Sequence, residues 1–438
     1  MKKHSSYTST STSTITKSNV DAKLMKQDVS SSITNEILQQ YESSKDDDKS
    51  KPAQQQQQQP LSIVVKTFNS FKGGKTKLIA FDLDDTLIRP KDKKRFGKDA
   101  DNWELMFDKE IMRSKIEQYV DLKEDKNEYL IAVLSNQHGI ETGHTTEEIV
   151  LDKVTQVFTK ELKYPLVFIC AKSKDYYRKP YPGMIEYIEM TYNNGVRFNR
   201  KDSLYVGNAA GRKKSKQRSH ADHSDSDYKL ALNAGMRFST PEEFFLGTKQ
   251  SVPAVEFDLH VYDSNDNSHV VFDGKTQEMI IMVGSPGSGK SSYCENVLVK
   301  LHKYVRVNRD DLKTEKKCID VAETAIQRKQ SVVIDNTNPK ASNRAVYIKL
   351  AKKHHIQVRC FVMNVPKELA FHLNNLRFIN NERTHYSQGV NAIPIHSFYK
   401  YYEHPSAVDE GIDAIISINF IPGPFVSEKE KEIFYMVS

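Results

Sequence analysis

Long apolar runs are missing from this chain. None approaches the roughly 18–20 residues that a membrane-spanning helix needs, and no membrane partner is expected. The start, Met1-Lys2-Lys3-His4-Ser5-Ser6, runs into serine and threonine instead of an apolar segment, which argues against secretion. Cysteine is scarce as well. Cys170, Cys294, Cys318 and Cys360 lie far apart with no CxxC pair, so neither a zinc site nor a disulfide scaffold is expected, and all four read as reduced thiols. Apolar residues make up 38% of the 438 residues, below the roughly 45–50% usual for a globular domain, so part of the chain is expected to be disordered. A net charge of +7 is a mild excess that permits a polyanionic partner without requiring one.

The apolar deficit is uneven. Residues 1–60 hold a Ser/Thr tract (5–14), the acidic patch Asp46-Asp47-Asp48 and a glutamine run (54–59). Such a segment buries too little apolar surface to offset its chain entropy, and is expected to be disordered. From residue 61 short β-branched or apolar runs alternate with stretches of helical period. Strands are expected at 77–82, 129–134, 166–170 and 204–206, with helices at 111–122 and 146–162. The pattern restarts with strands at 279–283, 304–307, 331–334 and 358–363, a helix from about Lys290, and helices at 318–329 and 344–354. The reading is α/β: two doubly wound parallel-sheet domains, 61–250 and 251–438, behind the disordered segment 1–60.

Gly284-Ser285-Pro286-Gly287-Ser288-Gly289-Lys290-Ser291 fits G-x-x-x-x-G-K-[ST] without mismatch, between a strand and a helix. The glycines let backbone N–H groups face a phosphate chain; Lys290 reaches the β/γ-phosphates of ATP and Ser291 offers its hydroxyl to Mg²⁺. The next strand ends in Asn308-Arg309-Asp310-Asp311. This places Asp310 as a base for an attacking hydroxyl. Asp335, at a further strand end, is a Walker-B-like acid able to order the metal's water shell. The competing reading for both acids is helix capping.

Phe81-Asp82-Leu83-Asp84-Asp85-Thr86-Leu87 closes the first expected strand. There Asp82 and Asp84 can address one pocket, one attacking phosphorus while the other handles protons, and together they form a hard-oxygen site for Mg²⁺. Ser135-Asn136 can hydrogen-bond phosphate oxygens. Lys179 can neutralise charge building up between substrate and nucleophile. Gly207-Asn208 opens the loop where a further metal ligand is expected.

The order DxDxT, Ser/Thr, Lys and acidic loop resembles the haloacid dehalogenase phosphatase superfamily. With the P-loop unit behind it, the chain from about residue 75 resembles the bifunctional polynucleotide 3'-phosphatase/5'-kinase family of DNA end-processing enzymes. The strings that carry the resemblance are FDLDDTL, LSNQHGI, YRKP, VGNAAGR, ALNAG, TPEEFFLG, GSPGSGKS, VNRDDL, ETA and IDNTNP. The resemblance implies an aspartyl-phosphate on Asp82, acid/base work by Asp84, phosphate held by Ser135 and Lys179, and Asp310 as base on a 5'-hydroxyl. It also implies Arg377 as a lid cation, for which a plain surface arginine is the alternative. Two departures stand out. The family's fourth phosphatase motif usually begins Gly-Asp, whereas here it reads Gly207-Asn208, and Asp222 or Asp227 is expected to complete the metal site. Animal members carry an amino-terminal forkhead-associated domain, and residues 1–60 are too short and polar for one.

The implied partners are DNA ends carrying a 3'-phosphate or 5'-hydroxyl at nicks, gaps or breaks, and repair scaffold or ligase proteins met by a route without that domain. Basic runs at 91–95 and 212–218 suit phosphate-backbone contact, though such runs also serve as solvated loops or nuclear-localisation patches. Trp103 reads either as a base-stacking platform or as core. The expected location is nuclear, with the cytosol and mitochondrion left open. Two alternatives stay in view: an RNA-end-healing enzyme of the same chemistry, and a 5'-kinase whose phosphatase half has become a DNA-end binding module.

Overall fold

Apolar runs that are buried on both faces build two open sheets in this chain. The structure, a computed structural model, describes residues 62–92, 99–120, 128–215, 218, 220–379 and 389–438. The expected disordered segment 1–60 lies outside the described residues, as do positions 93–95 and 216–217 of the two basic runs.

The first sheet uses β1 (Ile63–Phe68), β2 (Lys77–Phe81), β5 (Tyr129–Asn136), β6 (Leu166–Ala171), β7 (Leu204–Val206) and β8 (Arg237–Ser239), in the order β1-β6-β5-β2-β7-β8. A small ribbon pairs β3 (Ile88–Arg89) with β4 (Glu104–Leu105). All neighbours in the main sheet are parallel except β1, which closes the β6 edge antiparallel. Alternation along the strands divides the core in two. Ile79, Phe81, Ile131 and Val133 face one cluster, which also takes residues of α1 (Lys109–Ile116), α2 (Glu147–Gln156) and α5 (Pro241–Leu246). Leu78, Ala80, Leu130 and Ala132 face the other, covered by α3 (Gly183–Tyr187) and α4 (Ser226–Asn233). Helices on both faces explain why these strands read as unbroken apolar runs.

The second sheet is wholly parallel. It runs β10-β11-β9-β12-β13, where β9 is Glu278–Val283, β10 Val305–Val307, β11 Val332–Ile334, β12 Gln357–Asn364 and β13 Ala414–Asn419. One face packs on α8 (Glu315–Gln327) and α9 (Ala341–Lys353). The other packs on α10 (Lys367–Ile379), α11 (Ala392–Tyr401) and α13 (Glu428–Tyr435). The remaining α-helices among the described residues are the short α6 (Lys290–Tyr293), α7 (Arg309–Leu312) and α12 (Ala407–Glu410).

The edge strands β1, β8 and β13 escape the sequence reading. All three are only partly buried and therefore show weaker apolar patterning. The helix expected over 111–122 starts earlier, capped by the Asp108 carboxylate at the amides of Glu110 and Ile111, and stops at Ile116; residues 121–122 lie outside the described set. Residues 61–438 form one compact unit. Tyr181, from the loop after β6, is buried in the same apolar cluster as Leu376 and Phe434 of the second sheet's helices.

Candidate active sites

In each sheet the order of strands reverses beside one strand, and the chemistry collects at that strand's C-terminal end. In the first sheet the strand is β2, between β5 and β7. Asp82 follows it, Ser135 lies on β5 and Gly207-Asn208 follow β7. Lys179 arrives from the loop after β6. Its Nζ is 2.5 Å from Asp82 Oδ1 and 2.8 Å from Asp227 Oδ1, and it also donates to the Leu134 carbonyl and the Tyr205 hydroxyl. Asp82, Lys179 and Asp227 are all buried. The ammonium is thus held by two carboxylates inside the protein, which keeps it cationic: the carboxylates raise its pKa over the lowering effect of burial. Burial lifts the Asp82 carboxyl above its usual range, with Asp227 and Asp84 adding to the rise and Lys179 opposing it.

Asp84 is exposed and accepts from Gln137 Nε2 at 2.8 Å; the same nitrogen contacts Ser135 Oγ at 2.8 Å. Gln137 therefore spans two of the expected site residues, a role the LSNQHGI string did not disclose. Asn136 is not presented to solvent as a phosphate ligand. Its amide accepts from Lys179 N and donates to Lys179 O, clamping the lysine's backbone. Asn208 sits by Thr86, whose hydroxyl accepts from the Asn208 backbone N–H at 3.1 Å.

The two acids offered to complete this site have different fates. Asp227 takes Lys179 and Tyr205 on Oδ1 and the Ala209 amide on Oδ2, so it serves the lysine instead of standing free for a cation. Asp222 is taken up by Arg212 and Arg218 and by the backbone amides of Ala210 and Arg212. The same ion pairs revise the basic run. Arg212 is buried, and both arginines also reach Glu242, so they brace a loop and are not offered to a phosphate backbone. Trp103 packs against the core beneath β2.

In the second sheet the strand at the reversal is β9. The P-loop follows it, and a cleft of about 740 Å³ is lined by residues from Pro286 to Ser291 together with Asp310, Asp335 and Arg377. Gly289 takes φ 84° at the start of α6, a conformation that glycine adopts without strain. Lys290 is buried with Nζ on the Ser285 carbonyl, and burial pushes its pKa down to about 8. Asn308 caps α7, accepting from the amides of Asp310 and Asp311. The Asp310 side chain is thereby released from capping duty and lines the cleft. Arg306 holds Asp335 Oδ2, while Asp335 Oδ1 and Ser288 Oγ are buried with no protein partner. Arg377, in the last turn of α10, lines the same cleft.

The donor sets suit a hard cation. The first site offers carboxylate and amide oxygens from Asp82, Asp84 and Asn208, and the second offers the unpartnered Asp335 oxygen and the Ser291 hydroxyl, two residues that line the same cleft. Among the described residues no helix is long and apolar enough to cross a membrane.

A haloacid-dehalogenase-like phosphatase domain and a P-loop kinase domain thus share one chain. Residues 77–245 match the polynucleotide kinase 3 phosphatase family, and 279–385 match an AAA domain family. The bifunctional polynucleotide phosphatase/kinase of Schizosaccharomyces pombe is 35% identical over 82% of this chain and 83% of its own length. A relative from Acanthamoeba polyphaga mimivirus, named as a putative enzyme of that kind, is 35% identical over 78% of this chain and 85% of its own. The polynucleotide 3'-phosphatase ZDP of Arabidopsis thaliana is 32% identical over 40% of this chain and 25% of its own. The chain belongs to the bifunctional polynucleotide phosphatase/kinase family.

Proposed function

We propose that this chain heals DNA ends in strand-break repair, removing a 3'-phosphate at one site and phosphorylating a 5'-hydroxyl with ATP at the other. At the first site the Asp82 carboxylate attacks phosphorus. Asp84, steadied by Gln137, gives its proton to the departing 3'-oxygen, leaving a 3'-hydroxyl and an aspartyl-phosphate. Asp84 then takes a proton from water, which attacks that phosphorus, releases phosphate and restores Asp82. Lys179, fixed between Asp82 and Asp227, offsets the negative charge gathering between nucleophile and phosphate, and Ser135 hydrogen-bonds a phosphate oxygen.

At the second site Asp310 takes the proton from the 5'-hydroxyl as that oxygen attacks the γ-phosphorus of ATP. Lys290 and Arg377 balance charge on the transferring group, and the P-loop amides hold the remaining phosphates. Asp82, Asp84 and Asn208 would hold Mg²⁺ at one site and Ser291 with Asp335 at the other, where the bound cation would supply charge neutralisation. The reading further places the protein in the nucleus, working with repair scaffold or ligase proteins.

One observation supports this reading above the rest: a cation pinned between buried carboxylates at one sheet edge, with a lysine, two acids and an arginine around one cleft at the other. The test is a nicked duplex carrying 3'-phosphate and 5'-hydroxyl, with both ends scored for wild type, Asp82→Asn and Asp310→Asn. Each variant should lose one activity and keep the other. A strong preference for matched RNA ends would overturn the DNA assignment. Release of 3'-phosphate no faster in wild type than in Asp82→Asn would reduce the first domain to a binding module.

A further inference from the structure

We infer that Asn233, together with the backbone of Val437, positions Lys179, so that phosphate removal in the first domain depends on a segment folded with the second. The inference rests on the phosphatase reading of the Asp82 site.

Helix α4 touches the Lys179–Pro180 turn at both of its ends. In its first turn Asp227 binds the lysine's ammonium at 2.8 Å. Its last residue, Asn233, donates through Nδ2 to the Pro180 carbonyl at 2.9 Å. The same Asn233 amide donates to the Val437 carbonyl at 2.8 Å and accepts from the Val437 N–H at 2.9 Å. One side chain therefore joins the residue next to Lys179 to the irregular segment that follows α13. Lys229, one turn earlier on α4, donates to the Ser438 carbonyl at 2.6 Å. Across the interface, Ser438 Oγ meets the buried His372 Nδ1 at 2.8 Å. The other end of the turn is pinned by Tyr181, buried in the second sheet's cluster.

Besides this contact, Asn136 clamps the Lys179 backbone from the β5 side, and within the turn the Tyr181 N–H donates to the Arg178 carbonyl. Removing the Asn233 amide leaves the Pro180 carbonyl and the Val437 N–H without partners and frees the turn to shift. A displacement of about 1 Å at a catalytic group can cost up to ~10²-fold in rate. Lys179 acts at a developing charge, so the loss belongs in kcat more than in KM.

The test uses the full chain with three variants: Asn233→Leu, which keeps the branched shape but removes the amide; Val437→Pro, which deletes the N–H while keeping the carbonyl; and their combination. Met436 already has φ −68° and ψ 140°, the extended range that a following proline requires. Expected is a fall in kcat for 3'-phosphate release of about tenfold for Asn233→Leu and a few-fold for Val437→Pro. KM should stay within about twofold, and 5'-kinase kcat, the control in the same molecule, should not change. The double variant should be no worse than Asn233→Leu, because both act through one amide. Unchanged phosphatase kcat in both single variants overturns the inference. So does an equal fall of both activities, which marks general loss of stability. Absence of phosphate release from wild type would instead sink the phosphatase reading itself.

Discussion

Gly207 lies against Asp227 so closely that a methyl group on its Cα would sit 2.5 Å from Asp227 Oδ2. That contact sets the distance between the loop after β7 and the acid that holds Lys179. Gly207→Ala must displace the carboxylate, since the neighbouring atoms are its own Cβ and Cγ. Phosphate release should fall at least tenfold, with stability lowered by about 1–3 kcal/mol, while 5'-kinase turnover persists. Parallel assays of the two activities with a thermal melt check this; a fully active phosphatase would show that Asp227 can move freely.

Asn208 stands where a charged ligand would bind a divalent cation more tightly. Its side-chain oxygen is 3.5 Å from the Thr86 hydroxyl, so an isosteric carboxylate fits the same space. Asn208→Asp should lower the Mg²⁺ concentration for half-maximal 3'-phosphate release several-fold. A Mg²⁺ titration that superimposes on wild type would dismiss the neutral ligand as a weakness.

Lys290 gives the kinase cleft a pH signature. Burial depresses its pKa from 10.5 to about 8, so the free protein loses this positive charge as pH rises through 8. ATP binding measured by calorimetry should weaken above pH 8, and Lys290→Arg should bind with little dependence on pH in that range. Folding shows the opposite trend. Between about pH 8 and 10.5 the unfolded chain keeps a proton that the folded chain has shed, so stability rises with pH in that window. At pH 7 the buried cation costs on the order of 3 kcal/mol, and Lys290→Met should raise the melting temperature there. Denaturant melts across that window for wild type and variant test the sign.

Arg344 is fully buried and forms a two-pronged pair with Glu410, while its remaining nitrogen donates to the carbonyls of Asn338 and Glu403. Losing one partner of such a pair strands the other. Arg344→Met should cost about 3 kcal/mol, whereas a double replacement with Glu410→Met should recover part of it. Urea unfolding of wild type and the two variants decides; equal losses in the single and double variants would remove the pair from the account.

How much of this was legible beforehand follows from how local each signal is. Asp82, Asp84, Lys290 and Asp310 stand in contiguous strings at strand ends, where spacing alone puts them at a sheet edge. Arg212 was misread because its partners, Asp222 and Glu242, lie ten and thirty residues away; a basic run looks solvated until the fold supplies its acids. Asn136 was assigned to phosphate on residue type, but a tertiary contact with the Lys179 backbone takes up its amide. Asp227 was placed at the site, although its service to Lys179 needed the geometry. Asn233 stands inside the ALNAG string, but its role did not show there, since its partners come from two distant segments.

Tyr181 carries a wider consequence. Its ring belongs to the core of the domain that does not contain its own strands, so loosening of that core is expected to loosen the turn beside Lys179 as well. Lesions that soften the second core would deplete both activities in step. Severing the chain between the sheets would cut that mutual support and yield fragments less robust than the whole.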